Sequence, residues 1–427
     1  MPPPANQHQR HVVAACYLGW TLDAFDFFIM VFVISDIAKE FGTDRTTVTW
    51  AITLTLFLRA LGAFLFGRLA DRFGRRPTLM ANVLTYSLLE FLTGFSPNLT
   101  VFLILRALYG VAMGGEWGVG ASLTMESIPA RWRGPVSGLL QAGYPSGYLL
   151  ATLLYRIGYG SGVIGWRGMF MIGVLPALLV LYVRRKVPES PDWQRRSEAK
   201  AHAGDFLPVL SRHLPLAIYA VLLMTAFNFF SHGTQDLYPS FLKSEHHMGI
   251  DQITTIAIIY NIGAMLGGLT FGTLSQRIGR RAAIVIAAVL ALPVIPLWAF
   301  SNEPFYIGLG AFLLQICVQG AWGVIPAHLN ELSPPDIRGT FPGLVYQLGN
   351  CLAAANATIQ SAIADHYFGG DLSWPLAGVA GIVAVLIALL VGFGREARHV
   401  QMGTEASQDA AQTLAAMHGQ ATARTAI

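Results

Sequence analysis

The chain is short of charge. Asp, Glu, Lys and Arg make up only 12% of its 427 residues, against 54% hydrophobic. A soluble chain carries about twice that charged fraction, so most of the surface must face something other than water. Cysteine is scarce as well. Cys16, Cys317 and Cys351 all lie in apolar stretches with no CxxC, which excludes a disulfide framework and a cysteine metal centre. No HExxH, GxSxG or phosphate-binding loop occurs, so neither an enzyme nor a cofactor or metal is expected. The net charge of +4 is scattered over short loops and makes no nucleic-acid face. MPPPANQHQRH leads straight into a full-length apolar span, so no cleaved leader is expected.

What the chain has instead is a series of apolar runs near the ~20 residues that cross a bilayer as a helix. They predict an all-α polytopic membrane protein with twelve spans. The first six lie near 11–36, 48–66, 77–95, 99–127, 135–156 and 164–183, the second six near 215–242, 252–271, 282–301, 305–329, 339–365 and 374–394. The expected domains are a first half (1–183), a linker (184–214), a second half (215–394) and a disordered tail (395–427). Arginines follow spans 2, 4, 6, 8 and 10, among them Arg68, Arg131, Arg184, Arg277 and Arg338, and Lys200 adds to the linker. The opposite loops are balanced by acids, as at Asp36, Glu40 and Asp44. The positive-inside rule then puts both termini and the linker in the cytoplasm, with the protein in the cytoplasmic (inner) membrane.

An internal repeat organises the chain. GRLADRFGRR at 67–76 matches GTLSQRIGRR at 272–281, and GEWGVGASLTMESIPARWRG at 115–134 matches GAWGVIPAHLNELSPPDIRG at 320–339. Both pairs share one ungapped offset of 205 positions (67 to 272, 115 to 320), so six helices are duplicated in tandem with the same orientation. Such halves enclose a central site near mid-bilayer.

The GxLaDRxGRR motif, with RALYG at 106–110, resembles the major facilitator superfamily along the whole chain. The resemblance implies a cytoplasmic latch built from Asp71, Arg72, Arg75 and Arg76 with Glu126. Its second copy would use Arg277, Arg280, Arg281 and Glu331, weakened because Gln276 replaces the aspartate. Basic loops that only fix topology are the alternative.

Charge inside a membrane helix costs about 2.5–3.5 kcal/mol, so each such residue needs a reason. Asp23 and Asp26 share a helix face in span 1. Arg59, Glu90, Arg106 and Glu116 follow in spans 2 to 4. Span 7 carries NFFSHGTQDLYPS at 228–240, and span 11 carries Tyr346, Gln347, Asn350, Asn356 and Gln360. The offset makes Asn228 the mate of Asp23 and Ser231 the mate of Asp26. An arginine can grip a carboxylate bidentately, and buried acids and histidines can carry protons. Arg59 is therefore either a substrate anchor or half of a structural ion pair. Glu116 is a proton carrier or a packing-level pair.

NxxSHxTQDxxxS and GWTLDAFDFF resemble the sialate:proton symporter branch and its lactate and pyruvate permeases. The resemblance implies substrate contacts at Asn228 and Gln235, joined by Arg59, Tyr346 and Asn350. It implies proton coupling through His232 and Asp236, joined by Asp23, Asp26, Arg106 and Glu116. The alternative for His232 and Asp236 is a helix-stabilising pair. The function expected is proton-coupled import of a small monocarboxylate by a monomer. Sialic acid, an aromatic acid, a proton-driven exporter and a transporter-like sensor are the competing readings. PESPDW at 188–193 echoes a sugar-porter signature in the linker and says little about substrate.

Overall fold

The computed structural model describes residues 7–43, 45–159, 162–198 and 206–398, with 400 and 402. Asp44, Lys200 and the tail beyond 402, expected to be disordered, lie outside the described residues. Every regular element among the described residues is helical.

The first copy of the repeat opens with α1 (Gln7–Glu40), α2 (Arg45–Phe73) and α3 (Arg75–Thr93), followed by α4 (Leu99–Met113) and α5 (Glu116–Ser127). It continues through α6 (Arg133–Gln141), α7 (Gly143–Leu154), α8 (Trp166–Ile172) and α9 (Ala177–Lys186). Two short helices, α10 (Pro191–Glu198) and α11 (Phe206–Arg212), occupy the connection. The second copy holds α12 (Leu214–Gln235), α13 (Tyr238–Ser244), α14 (Ile250–Ile278), α15 (Arg280–Phe300) and α16 (Pro304–Trp322). It ends with α17 (Ile325–Leu332), α18 (Phe341–Ala353), α19 (Asn356–Tyr367) and α20 (Ser373–Gly392).

Local chemistry sets the boundaries. Asn98 caps α4 by accepting the Val101 N–H at 2.9 Å. Between α2 and α3, and again between α14 and α15, the chain reverses over one residue. Gly74 and Gly279 make these turns with φ of 108° and 100°, a region open to glycine at little strain. They are repeat mates and end the two basic motifs.

Among the described residues, eight helices, single or made of two consecutive segments, are long and apolar enough to cross a membrane: 47–73, 99–127, 166–186, 214–244, 251–278, 280–300, 304–332 and 373–392. The other expected spans fall on α1, α3, α6–α7 and α18–α19. Three of these elements, α1, α3 and α18, carry the interior polar residues Asp23, Asp26, Asn82, Glu90, Gln347 and Asn350. Large apolar side chains point outward along the spans, with Phe57 68%, Leu178 62% and Ile382 64% exposed. A surface of that kind suits lipid, not water.

The two copies meet along glycine seams. Gly134 and Gly138 of α6 lie against Gly268 and Gly272 of α14; a Cβ on Gly272 would fall 2.7 Å from the Gly138 Cα. The repeat mate of this seam is Gly339 and Gly343 against Ala63 and Gly67, where a Cβ on Gly67 would meet the Thr340 Cα at 2.6 Å. Small residues spaced by four allow backbone-to-backbone packing in lipid. Backbone cannot yield as a side chain does, so Gly272→Leu should destabilise the bundle by about 1–3 kcal/mol. Thermal unfolding of the purified protein checks this, with Gly378→Leu, where nothing lies within 4 Å of a new Cβ, expected to melt like wild type.

Candidate functional site

Six ionisable side chains of the first copy converge in its interior. Asp23 and Asp26 come from α1, Arg59 from α2, Glu90 from α3, Arg106 from α4 and Glu116 from α5, and none is more than 4% exposed. Arg106 donates to Glu90 and stacks its guanidinium 4.0 Å from the centre of the Tyr109 ring. Arg59 is held more loosely. Its Nη2 reaches Asp23 Oδ2 at 3.5 Å, and its Nε has no hydrogen-bond partner. Both carboxyl oxygens of Asp26 and of Glu116 also lack a hydrogen-bond partner among the described residues. Asp26 feels the charges of Glu90, Asp23 and Arg106, while Glu116 feels Asp23 and Arg59. Four carboxyls thus share one buried network with two guanidiniums.

The second copy carries none of this charge. The repeat mates of Arg59, Glu90, Arg106 and Glu116 are Ala264, Ile295, Ala311 and Ala321, all buried. Its polar groups are amides, hydroxyls and one histidine–aspartate pair. Gln235 Nε2 donates to Gln315 Oε1 at 3.0 Å, Gln315 Nε2 to Thr234 Oγ1 at 3.1 Å, and Gln319 Nε2 to Ser231 Oγ at 3.4 Å. His232 joins Asp236 through Nδ1 and Asn350 through Nε2, each at 3.1 Å. The side chains of His232 and Asp236 remain 28% and 40% exposed. Asn228 turns its amide back to the Met224 carbonyl at 2.8 Å. Tyr346 bridges the copies, its ring 4.8 Å from Trp117 and 5.5 Å from Trp322, which are themselves repeat mates. Arg59 exerts its charge on Tyr144 in the first copy and on Tyr346 and His232 in the second. It therefore stands where the two polar sets face each other.

At one end of the bundle the copies are bolted together. Arg75 grips Glu126 with two bonds of 3.0 and 3.1 Å and pairs with Asp71 at 3.1 Å. Asp71 in turn accepts the Gly339 N–H at 2.8 Å and the Thr340 hydroxyl, across the seam. In the second copy Arg280 grips Glu331 with two bonds of 2.9 Å. Gln276 accepts the Gly134 N–H at 3.0 Å, so it keeps the hydrogen bond of the aspartate and drops its charge. The linker is the third part. Ser190 donates to Glu126, Trp193 Nε1 donates to the Asp71 carbonyl at 3.0 Å, and Asp192 pairs with Arg338 at 3.1 Å. Arg76 and Arg281 tie to the backbone carbonyls of Arg184 and Val391. Arg72 stands apart, stacked on Phe73 at 5.3 Å, and Arg277 takes part through its carbonyl, which accepts from Arg398.

Two glutamates cap the helices that begin at this latch. Glu189 accepts the N–H groups of Arg75 at 2.9 Å and Arg76 at 3.1 Å; Glu396 accepts that of Arg281 at 3.1 Å. A carboxylate at a helix N-terminus is favourable. Burial wins at Glu189 and raises its carboxyl above the usual range. Burial also acts on Glu396, but the N–H groups of Arg281, Arg280 and Arg398 outweigh it and hold the carboxyl low.

An all-helical bundle in lipid, duplicated in tandem, with a polar site between the copies and a latch closing one end, defines a multi-pass membrane transporter. The family model described as Major Facilitator Superfamily matches residues 16–235, and the one described as Sugar (and other) transporter matches 216–427. The chain belongs to the major facilitator superfamily and is not an enzyme. It is 30% identical to a carboxylic acid transporter protein homolog of Saccharomyces cerevisiae over 82% of this chain and 61% of that one. It thus spans less than two thirds of that relative. It is also 30% identical to the sialic acid transporter NanX of Escherichia coli over 91% of this chain and 95% of that one. The sialate:proton symporter resemblance is consistent with these relatives. Among solved structures, the proton:xylose symporter XylE superposes with a TM-score of 0.73 at 19% identity, covering 91% of this chain and 96% of its own. The human organic anion transporter MFSD10 gives 0.70 at 16%, covering 91% and 100%. At those identities the likeness shows the fold.

Sequence reasoning passed over Gln315 and Gln319, because their repeat mates are Gly110 and Gly114 and comparison of the copies gives no polar signal there. It also undervalued Glu189, Ser190, Asp192 and Trp193, although PESPDW was the available signal. The caps yield a test. Because the folded-state value of Glu396 is depressed, its contribution is present above the ordinary glutamate value of about 4.5 and is lost as pH falls through the depressed value. Melting curves should show Glu396→Gln below wild type at pH 7, with the gap closing in acid.

Proposed function

We propose that the chain is a proton-coupled symporter that imports a small organic monocarboxylate, of the lactate or pyruvate kind, by alternating access. It would act as a monomer in the cytoplasmic (inner) membrane, with twelve spans and both termini in the cytoplasm. Residues 1–183 and 215–394 would move as two halves around the site, joined by 184–214. The observation that carries the reading is Arg59: a buried guanidinium between the copies, with one long ion pair and an Nε left unbonded. A permanent cation with spare donors suits a carboxylate, which it can hold with two parallel bonds. The relatives that transport carboxylic and sialic acids support the same substrate class.

The proton side follows from charge balance. Four carboxyls and two guanidiniums cannot all stay ionised away from water without a large penalty. Neutrality calls for two protons, and Asp26 and Glu116 are the carboxyls with no donor to compensate a negative charge. When substrate takes Arg59, Asp23 loses its partner and becomes a further proton acceptor. Arg106 keeps Glu90 compensated and so holds part of the network fixed. His232 and Asp236, both partly exposed, would pass protons and recognise the substrate with Asn228, Gln235, Asn350 and Tyr346. If the latch end faces the cytoplasm, the state with the latch closed would have its site turned away from that side.

Proteoliposomes with an inward proton gradient should accumulate labelled L-lactate, and a protonophore should abolish accumulation. Arg59→Gln should reduce uptake about ten- to a hundredfold, the loss expected for a charge-assisted bond. Movement of sialic acid but not lactate would change the substrate and keep the mechanism. Failure of every carboxylate to move would end the symporter reading.

A further inference from the structure

On the latch side of the bundle, a cavity of about 570 Å³ opens between the junction of α11 with α12 and the end of α20. Arg212, His213 and Arg395 line it together with Tyr219, Leu390 and Phe393. The cations are uncompensated: neither Arg212 nor Arg395 has a hydrogen bond or ion pair among the described residues, and both are exposed. Glu396 makes no ion pair with its neighbour among the described residues; its carboxylate accepts the N–H groups at the start of α15 instead. His213 donates Nδ1 to the Val209 carbonyl at 2.9 Å, which leaves Nε2 available. The Tyr219 hydroxyl is buried without a partner. Below this basic rim the surface is hydrocarbon, with Leu389 50% and Phe393 89% exposed and Leu207 of α11 73% exposed beside it.

A rim of two guanidiniums and an imidazole over a floor of leucine and phenylalanine matches an amphiphile with an anionic head. We propose that this cavity is a binding site for an anionic phospholipid, its phosphodiester held by Arg212 and Arg395 and an acyl chain lying along Leu389, Leu390 and Phe393. Basic pockets between membrane helices recognise lipid head groups in this way. The cavity at the other end of the bundle makes the contrast. It measures about 540 Å³, is lined by Met248, Asp251, Phe305 and Phe312, and has no basic residue in its lining. The site also adjoins the latch, because Arg395 directly precedes the residue that caps α15. An occupied site would hold the 394–396 segment, and with it the cap, in place.

Native mass spectrometry of the full chain, titrated with phosphatidylglycerol or phosphatidylethanolamine of matched acyl chains, tests the proposal. Wild type should retain phosphatidylglycerol at least tenfold more tightly. Each basic side chain near an anionic lipid surface contributes a factor of about five, so Arg212→Gln with Arg395→Gln should weaken phosphatidylglycerol binding about twenty-five-fold. Arg156→Gln with Lys243→Gln, exposed cations elsewhere, should leave it unchanged. Equal retention of the two lipids by wild type would overturn the proposal without any variant. So would undiminished phosphatidylglycerol binding in the Arg212/Arg395 variant, or an equal loss in the Arg156/Lys243 control.

Discussion

The structure depends on how four carboxyls and two guanidiniums are held out of water in one half of a duplicated bundle. Charge at the centre of a membrane helix is tolerated only when it is paired, solvated or neutralised by a proton. Glu90 with Arg106, stacked on Tyr109, solves the problem locally. Asp23 with Arg59 solves it incompletely, at 3.5 Å and with spare donors. Asp26 and Glu116 have no hydrogen-bond partner among the described residues. On the proposed symport, these incompletely paired groups are the ones that would exchange protons and an anion.

The second copy makes the opposite choice, and the contrast explains the division of labour. Alanine or isoleucine stands at the mates of the buried charges, and the polar groups move to Gln315, Gln319, Asn350 and the span-7 segment. Neutral amides can recognise the rest of a small substrate without adding charge to be balanced. Tyr346, between Trp117 and Trp322, then joins the two chemistries. The glycine seams and the arginine–glutamate pairs of the latch recur in both copies, with Gln276 in place of Asp71 and Ala63 in place of Gly268.

Much of this was legible in the sequence, for identifiable reasons. The ungapped offset located the latch motifs, and the rarity of charge in apolar spans singled out Asp23, Asp26, Arg59, Arg106 and Glu116 before any coordinates. The pairings were not legible. Nothing in spacing alone decides that Arg106 takes Glu90 and Arg59 takes Asp23, since those contacts join separate helices whose rotation is set by packing. The linker's part in the latch was hidden because a polar segment outside the membrane has no periodic signal, and only the folded chain brings Ser190 and Asp192 to Glu126 and Arg338.

The most direct test is proton movement driven by substrate alone. Proteoliposomes carrying an internal pH dye, with no imposed gradient, would receive external L-lactate. Wild type should acidify the lumen as lactate enters, and Asp26→Asn with Glu116→Gln should exchange lactate with little or no acidification. Lactate entry without proton movement in wild type, or undiminished acidification in the double variant, would contradict the account.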